Sequence, residues 1–117
     1  MDKITIWHNP RCSKSRDSFN LLEEKGIDAE VLKYLDTVPT KEELQNMLRM
    51  LGMSSAQELM RKKEAVYKEL NLKDEVSEEV LLDAMIANPK LIERPIVIRG
   101  DKAVVGRPIE KVIALLG

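Results

Sequence analysis

The sequence predicts a mixed α/β fold in which a β-α-β unit opens the chain, a β-β-α unit closes it, and helices fill the middle. Three observations carry this expectation. Lys3-Ile4-Thr5-Ile6-Trp7 is short, β-branched and alternating, the pattern of a strand, and Asn9-Pro10 cuts it off. Two β-rich runs, Pro95–Arg99 and Lys102–Val105, flank Gly100-Asp101, the pattern of a hairpin. Between these ends, capping signals and Gly or Pro stops mark out successive helices.

Taken in order, the first strand is followed by a helix from about Ser13 to Lys25. Phe19, Leu21 and Leu22 give it an apolar side, and Gly26 suits the position just past its end. Ala29–Tyr34 reads as a second strand and Thr37–Thr40 as a loop. Thr40 and Glu43 have capping-box spacing for a helix that runs to about Leu51, before Gly52. A short helix is expected from Ser55 to about Lys63, a further turn or two over Glu64–Leu70, and a helix from Ser77 through Ala87, stopped by Asn88-Pro89. After the hairpin, Gly106-Arg107-Pro108 breaks the pattern, and Pro108 suits the first position of a last helix over Ile109–Leu116. Met47, Met50, Met53, Met60 and Met85 fall in the helical segments as core fillers, with Tyr34 and Tyr67 as packing residues. This order is the plan of a thioredoxin-like fold, with a helical insertion at about 40–88 inside a single domain spanning 1–117.

Composition narrows the function classes. A chain of 117 residues buries roughly two thirds of its unfolded surface, enough to fold without staples. One cysteine excludes an internal disulfide, and one histidine with no clustered carboxylates argues against a metal site. A lone thiol points to a reducing compartment such as the cytoplasm. The 19 basic and 20 acidic residues give no global footprint for nucleic acid. MDKITIW is too short an apolar run for a signal peptide, and no run approaches the ~20 apolar residues of a membrane span. The expectation is a soluble intracellular domain.

The chemistry concentrates in WHNPRCSKSR, which holds the only histidine and the only cysteine. Cys12 falls between the first strand and the first helix, where ligands collect in open α/β structures. Unpaired N–H groups and the helix dipole favour an anion there, and they favour thiolate over thiol. Arg11, Lys14 and Arg16 add positive charge. A structural cysteine would sit in an apolar run; this one sits in a polar, proline-containing turn. Cys12-Ser13-Lys14-Ser15 is C-x-x-S, so the second thiol of a dithiol motif is absent. A phosphatase loop is excluded as well, because it needs an arginine six positions after the cysteine and that position is Ser18. Redox work at Cys12 therefore needs a thiol from outside, for which glutathione is the cellular candidate. His8 has two readings from spacing alone, polarising the thiol or closing the strand end.

Arginines farther along could hold an oxyanion through their planar donors. Arg94 precedes Pro95 at the entrance to the third strand, Arg107 precedes Pro108 at the entrance to the last helix, and Arg61 ends a helix pattern beside Lys62 and Lys63.

HNPRCSKSR, ELMRKKEAVYKEL, ERPIVI and GRPIE together resemble the glutaredoxin-dependent arsenate reductase family, nearest its short bacterial subgroup with CSKSR and ERPIV. The resemblance runs through essentially the whole chain in order. It implies a thioredoxin-like domain with a helical insertion, Cys12 as nucleophile, His8 as the histidine that helps activate it, and Arg61, Arg94 and Arg107 as oxyanion ligands. Pro95 is implied as a cis proline, and Arg16 and Ser15 are auxiliary candidates. The implied chemistry starts with attack of the Cys12 thiolate on arsenate. Glutathione then adds as cosubstrate, and the electrons come through a mixed disulfide with glutaredoxin as partner. No bound cofactor, metal, nucleic acid or membrane is implied, and arsenic detoxification in the cytoplasm is the implied setting. The chain departs from the pattern of established resistance members at Ser13-Lys14, where those have Gly-Thr, and at Glu93, where they have Asn.

Two further functions fit the same residues. A transcription regulator that binds RNA polymerase shares this fold, though Ser15 removes the second thiol of its usual switch. A glutathione-dependent thiol transferase would use the arginines for the glutathione carboxylates.

Overall fold

The structure is a computed structural model and describes residues 3–117. In chain order its elements are β1 (Ile4–Trp7), α1 (Ser13–Glu24), β2 (Glu30–Leu32), α2 (Lys41–Leu51), α3 (Ala65–Glu69), α4 (Glu78–Ala87), β3 (Ile96–Arg99), β4 (Lys102–Val105) and α5 (Glu110–Leu116). The chain partitions into two units. One joins the N-terminal segment through Thr37 to Arg94–Gly117; the other is Val38–Glu93.

The first unit is built on a four-stranded sheet in the order β2-β1-β3-β4. β1 and β2 are parallel, as a β-α-β crossover requires, while β1–β3 and β3–β4 are antiparallel. Ile6 faces Val97 across one ladder and Val97 faces Val104 across the next, so these side chains form a row on one face. Ile4, Ile6 and Val97 pack with Leu22 of α1 and Val112 of α5, and Phe19, Ile27 and Leu115 close around them. Burying each aliphatic side chain of this size contributes about 1.5–3 kcal/mol. This cluster is mainly aliphatic, as a sequence with few aromatics requires, and Trp7 and Tyr34 are buried as a stacked pair with centroids 6.5 Å apart.

Local signals fix the ends of α1. Asn9 Oδ1 accepts from Arg11 N–H and Asn9 O from Cys12 N–H, which folds the chain into a turn immediately before the helix. Cys12 is extended (φ −96°, ψ 124°), and its carbonyl accepts the first helical bond from Arg16 N–H. At the other end Gly26 is left-handed (φ 69°). Its N–H bonds Glu23 O and the Ile27 N–H bonds Leu22 O, a Schellman closure whose accompanying apolar pair, Leu22 and Ile27, enters the core.

The second unit holds α2, α3 and α4, with α2 packed on α4. Thr40 and Glu43 form both halves of a capping box at the start of α2, and Gly52 (φ 72°) closes it. Leu44, Met47, Leu81 and Met85 are fully buried there.

Three expectations are corrected. The stretch expected as a helix over Ser55–Lys63 is a single 3-10 turn, Ala56–Leu59, because the backbone beyond it turns outward to pair with another segment. Met60 bridges Ile92, Arg61 N–H bonds Leu91 O, and Leu59 O accepts from Glu93 N–H. Those long-range bonds take the groups a helix would have used. The second strand is shorter than Ala29–Tyr34, since only Glu30–Leu32 finds partners on β1. The last helix begins at Glu110 rather than Ile109, and Pro108 lies two residues ahead of it in a cis peptide bond with Arg107. Two 3-10 turns, Leu72–Asp74 and Pro89–Leu91, had no expectation attached to them. No helix among the described residues is long and apolar enough to cross a membrane.

Candidate active site

Cys12 occupies the N-cap of α1 and is partly exposed. Burial pushes its thiol pKa up. Hydrogen bonds to the sulfur from the Ser15 N–H, the Arg94 guanidinium and the Lys14 N–H, together with the Arg94 charge, outweigh burial and bring it below its ordinary value. Arg107 Nη2 adds a further donor 3.4 Å from Sγ. Arg94 and Arg107 are tied to each other, for Arg107 Nε donates to Arg94 O at 2.8 Å. Arg94 also reaches the Tyr34 hydroxyl. Burial works against its charge, but Cys12 and Tyr34 outweigh this and hold the guanidinium firmly charged. Arg94 Nε is buried without a hydrogen-bond partner. The Arg94–Pro95 peptide bond is cis.

Ser15, at the place of a second thiol, is fully buried and is the hub of the loop. Its Oγ lies 2.6 Å from His8 Nδ1 and accepts from Asn9 N–H at 3.0 Å. The proton of so buried a hydroxyl needs an acceptor. His8 Nδ1 is the one remaining partner among the described residues. Ser15 therefore donates to Nδ1, and the histidine proton sits on Nε2. Burial, then the charges of Lys33 and Arg16, lower the His8 pKa and keep the ring neutral. Protonation would place a proton on Nδ1 and leave the buried Ser15 hydroxyl proton without an acceptor. His8 stacks on Phe19 with centroids 5.2 Å apart. Its link to the Cys12 loop runs through Ser15, which holds the Asn9 turn with its side chain and the sulfur with its backbone. Arg16 strengthens the same loop by donating from Nη1 to Pro10 O.

Arg61 lies in the second unit. Its Nη1 bonds Glu64 Oε2 at 2.9 Å, and its Nε is 3.4 Å from Glu93 Oε1. Glu93 is thus the ion-pair partner of Arg61. The structure brings Cys12, Ser15, His8, Arg94 and Arg107 together in one unit and shows Arg61 engaged by two carboxylates in the other. Tyr34, taken as packing, also serves Arg94, and nothing in the sequence near it announces this. Asn9 was legible as a turn residue, though not as a ligand of Ser15. Among the described residues no group of His, Cys, Asp or Glu could hold a metal ion.

The ArsC family model matches residues 7–115. The chain belongs to the ArsC family. It is 51% identical over 117 residues to a protein of Neisseria meningitidis serogroup A named arsenate reductase, covering 99% of this chain and 100% of that one. It is 54% identical to the Escherichia coli protein YfgD, over 98% of both chains. A solved structure from Vibrio cholerae, titled arsenate reductase, superposes with a TM-score of 0.93 at 48% identity over 97% of each chain. The thioredoxin-like architecture is accordingly that of the ArsC structures.

Proposed function

We propose that this ArsC-family chain reduces arsenate to arsenite, with the Cys12 thiolate as nucleophile and glutathione and glutaredoxin as electron donors. The observation that carries the reading is a sulfur whose pKa is lowered and which two guanidiniums, Arg94 and Arg107, both contact. A thiolate and an oxyanion repel each other, and fixed cations on the sulfur offset that repulsion as the two approach. Arsenate is the acceptor that fits the names of the relatives.

The electrons balance as follows. Cys12 sulfur bonds to As(V), and one oxygen leaves as water. Glutathione adds to the arsenic through sulfur. A glutaredoxin thiol attacks that glutathione sulfur and forms a mixed disulfide. The sulfur–arsenic bond breaks with its electron pair left on arsenic, which becomes As(III) as water departs. Water then releases arsenite from Cys12. The sum is arsenate and two thiols giving arsenite, one disulfide and one water. Ser15 in place of a second cysteine agrees with thiols borrowed from outside, and a glutathione-rich cytoplasm is the setting for them. The resemblance adds Arg61 as a third oxyanion ligand, for which it must exchange Glu64 and Glu93 for substrate.

The test is a coupled assay with arsenate, glutathione, glutaredoxin, glutathione reductase and NADPH. NADPH loss that needs arsenate and disappears in Cys12→Ser supports the proposal. A folded protein with no arsenate-dependent turnover sinks it. Turnover of a glutathionylated peptide in place of arsenate would assign the same thiol to a transferase instead.

A further inference from the structure

The second unit has a cleft of its own. It holds about 630 Å³, within the ~300–1,000 Å³ usual for small-ligand sites, and every residue lining it belongs to Val38–Glu93. Lys62, Lys68 and Lys73 line it together with Gln57, Tyr67 and Asn71, and among the described residues no carboxylate does. A chain with 20 acidic and 19 basic residues thus sets three cations, unmixed with anions, around one concavity. We propose that this cleft binds the diphosphate group of a small molecule; the site is independent of the chemistry at Cys12 and does not rest on the function proposed above.

The ammonium groups are available. Lys62, Lys68 and Lys73 are exposed, and none has an ion pair or side-chain hydrogen bond among the described residues. Lys62 does feel the charge of Glu58, whose carboxylate is already held by the Ser54 and Ser55 N–H groups. The polar wall is fixed in advance. Tyr67 Oη donates to Gln57 Oε1 at 2.8 Å, and Gln57 Nε2 donates to Leu72 O. With both ends of its amide held, Gln57 keeps one N–H for an acceptor in the cleft. Asn71, left-handed at φ 53°, carries the chain from α3 into the 3-10 turn Leu72–Asp74 and brings Lys73 round to the same cleft. The charge count then selects the ligand. A lysine meets phosphate oxygens as a compact point charge with three donors. One phosphoryl group carries about −1.5 to −2 at neutral pH, too little for three ammoniums, whereas two linked phosphoryl groups bring the charges close to balance. Arsenate, with a single centre, is by the same count a poorer occupant. Nucleic acid fits less well, because the one aromatic of the wall, Tyr67, is buried and offers no face on which a base could stack.

The probe is inorganic pyrophosphate, titrated into the full-length protein and followed by amide chemical shifts. Saturating shifts at Gln57, Lys62, Lys68, Asn71 and Lys73 are expected, with a Kd of about 0.1–1 mM at low salt. Lys68→Gln together with Lys73→Gln removes two exposed charges without touching the core. The double variant should bind about tenfold more weakly, and its amide spectrum away from the cleft reports that the fold is kept. Cys12→Ser, in the other unit, should bind as the wild type does. Inorganic phosphate at the same ionic strength should bind more weakly than pyrophosphate. ADP separates the sources of the group: binding at least as tight as pyrophosphate supports a nucleotide diphosphate, and weaker binding supports the inorganic ion. Absence of saturation, shifts centred on lysines elsewhere such as Lys41, Lys90 or Lys102, equal binding by the double variant, or no preference for pyrophosphate over phosphate would overturn the site.

Discussion

At Cys12 two opposing effects meet, burial against a set of hydrogen-bond donors, and the donors win. Only the thiolate attacks an alkylating agent, so a lowered pKa moves the whole rate curve to lower pH. The rate of Cys12 alkylation against pH is therefore expected to have its midpoint below the ~8.5 of a free cysteine. Arg94→Ala, which removes a bond and a charge from the sulfur, should move it up. A wild-type midpoint at or above the free value would contradict this balance. His8 makes a separate prediction. Nitrogen-15 chemical shifts should show a neutral ring with its proton on Nε2, titrating below its ordinary 6.5; a proton on Nδ1 would refute the Ser15 assignment. Here the sequence left two readings of His8 open, and spacing along a loop could not choose. The choice came from where one buried hydroxyl proton can go.

Among the elements, the ends of β1, α1 and β3 converge on the thiol, and Gly106 shows how closely α1, the Pro95 loop and α5 approach. A Cβ there would stand 2.7 Å from Ser18 Oγ, 2.9 Å from Pro95 Cγ and 3.1 Å from Val112 Cγ2. The proline ring and the packed valine have little room to move. Gly106→Ala is expected to cost about 1–3 kcal/mol, read from denaturant midpoints; an unchanged midpoint would mean these segments yield freely. Element boundaries set by near neighbours were legible. The Thr40–Glu43 box and the stops at Gly26 and Gly52 are each written within a few residues. The Ser55–Lys63 helix was misread because its competitor, the strand-like pairing of Leu59–Arg61 with Leu91–Glu93, lies some thirty positions away. A short helix with one good turn loses to such pairing when the pairing satisfies more backbone groups.

For the whole molecule, the groups that set the Cys12 pKa all belong to the unit that contains the sheet. A core change in the other unit should then alter stability without altering the thiol. Leu81, fully buried, gives the case: Leu81→Ala is expected to lower unfolding free energy by about 2–5 kcal/mol, measured by urea denaturation. The Cys12 alkylation midpoint, taken well below the transition, should stay in place. A displaced midpoint would show that the inserted helices tune the thiol. By itself the sequence determined the order of the strands, the Thr40–Glu43 capping box, the stops at Gly26 and Gly52, the turn at Asn9 and the place of the single thiol at the start of the first helix, because each depends on residues within one turn or one loop. Only the tertiary structure decided that Arg107 meets a sulfur 95 positions away, that Tyr34 steadies Arg94, that Glu93 belongs to Arg61, and that Ser15 speaks for His8. Those pairings are set by which side chains the sheet register and helix packing bring within hydrogen-bond reach, a distance that no spacing along the chain encodes.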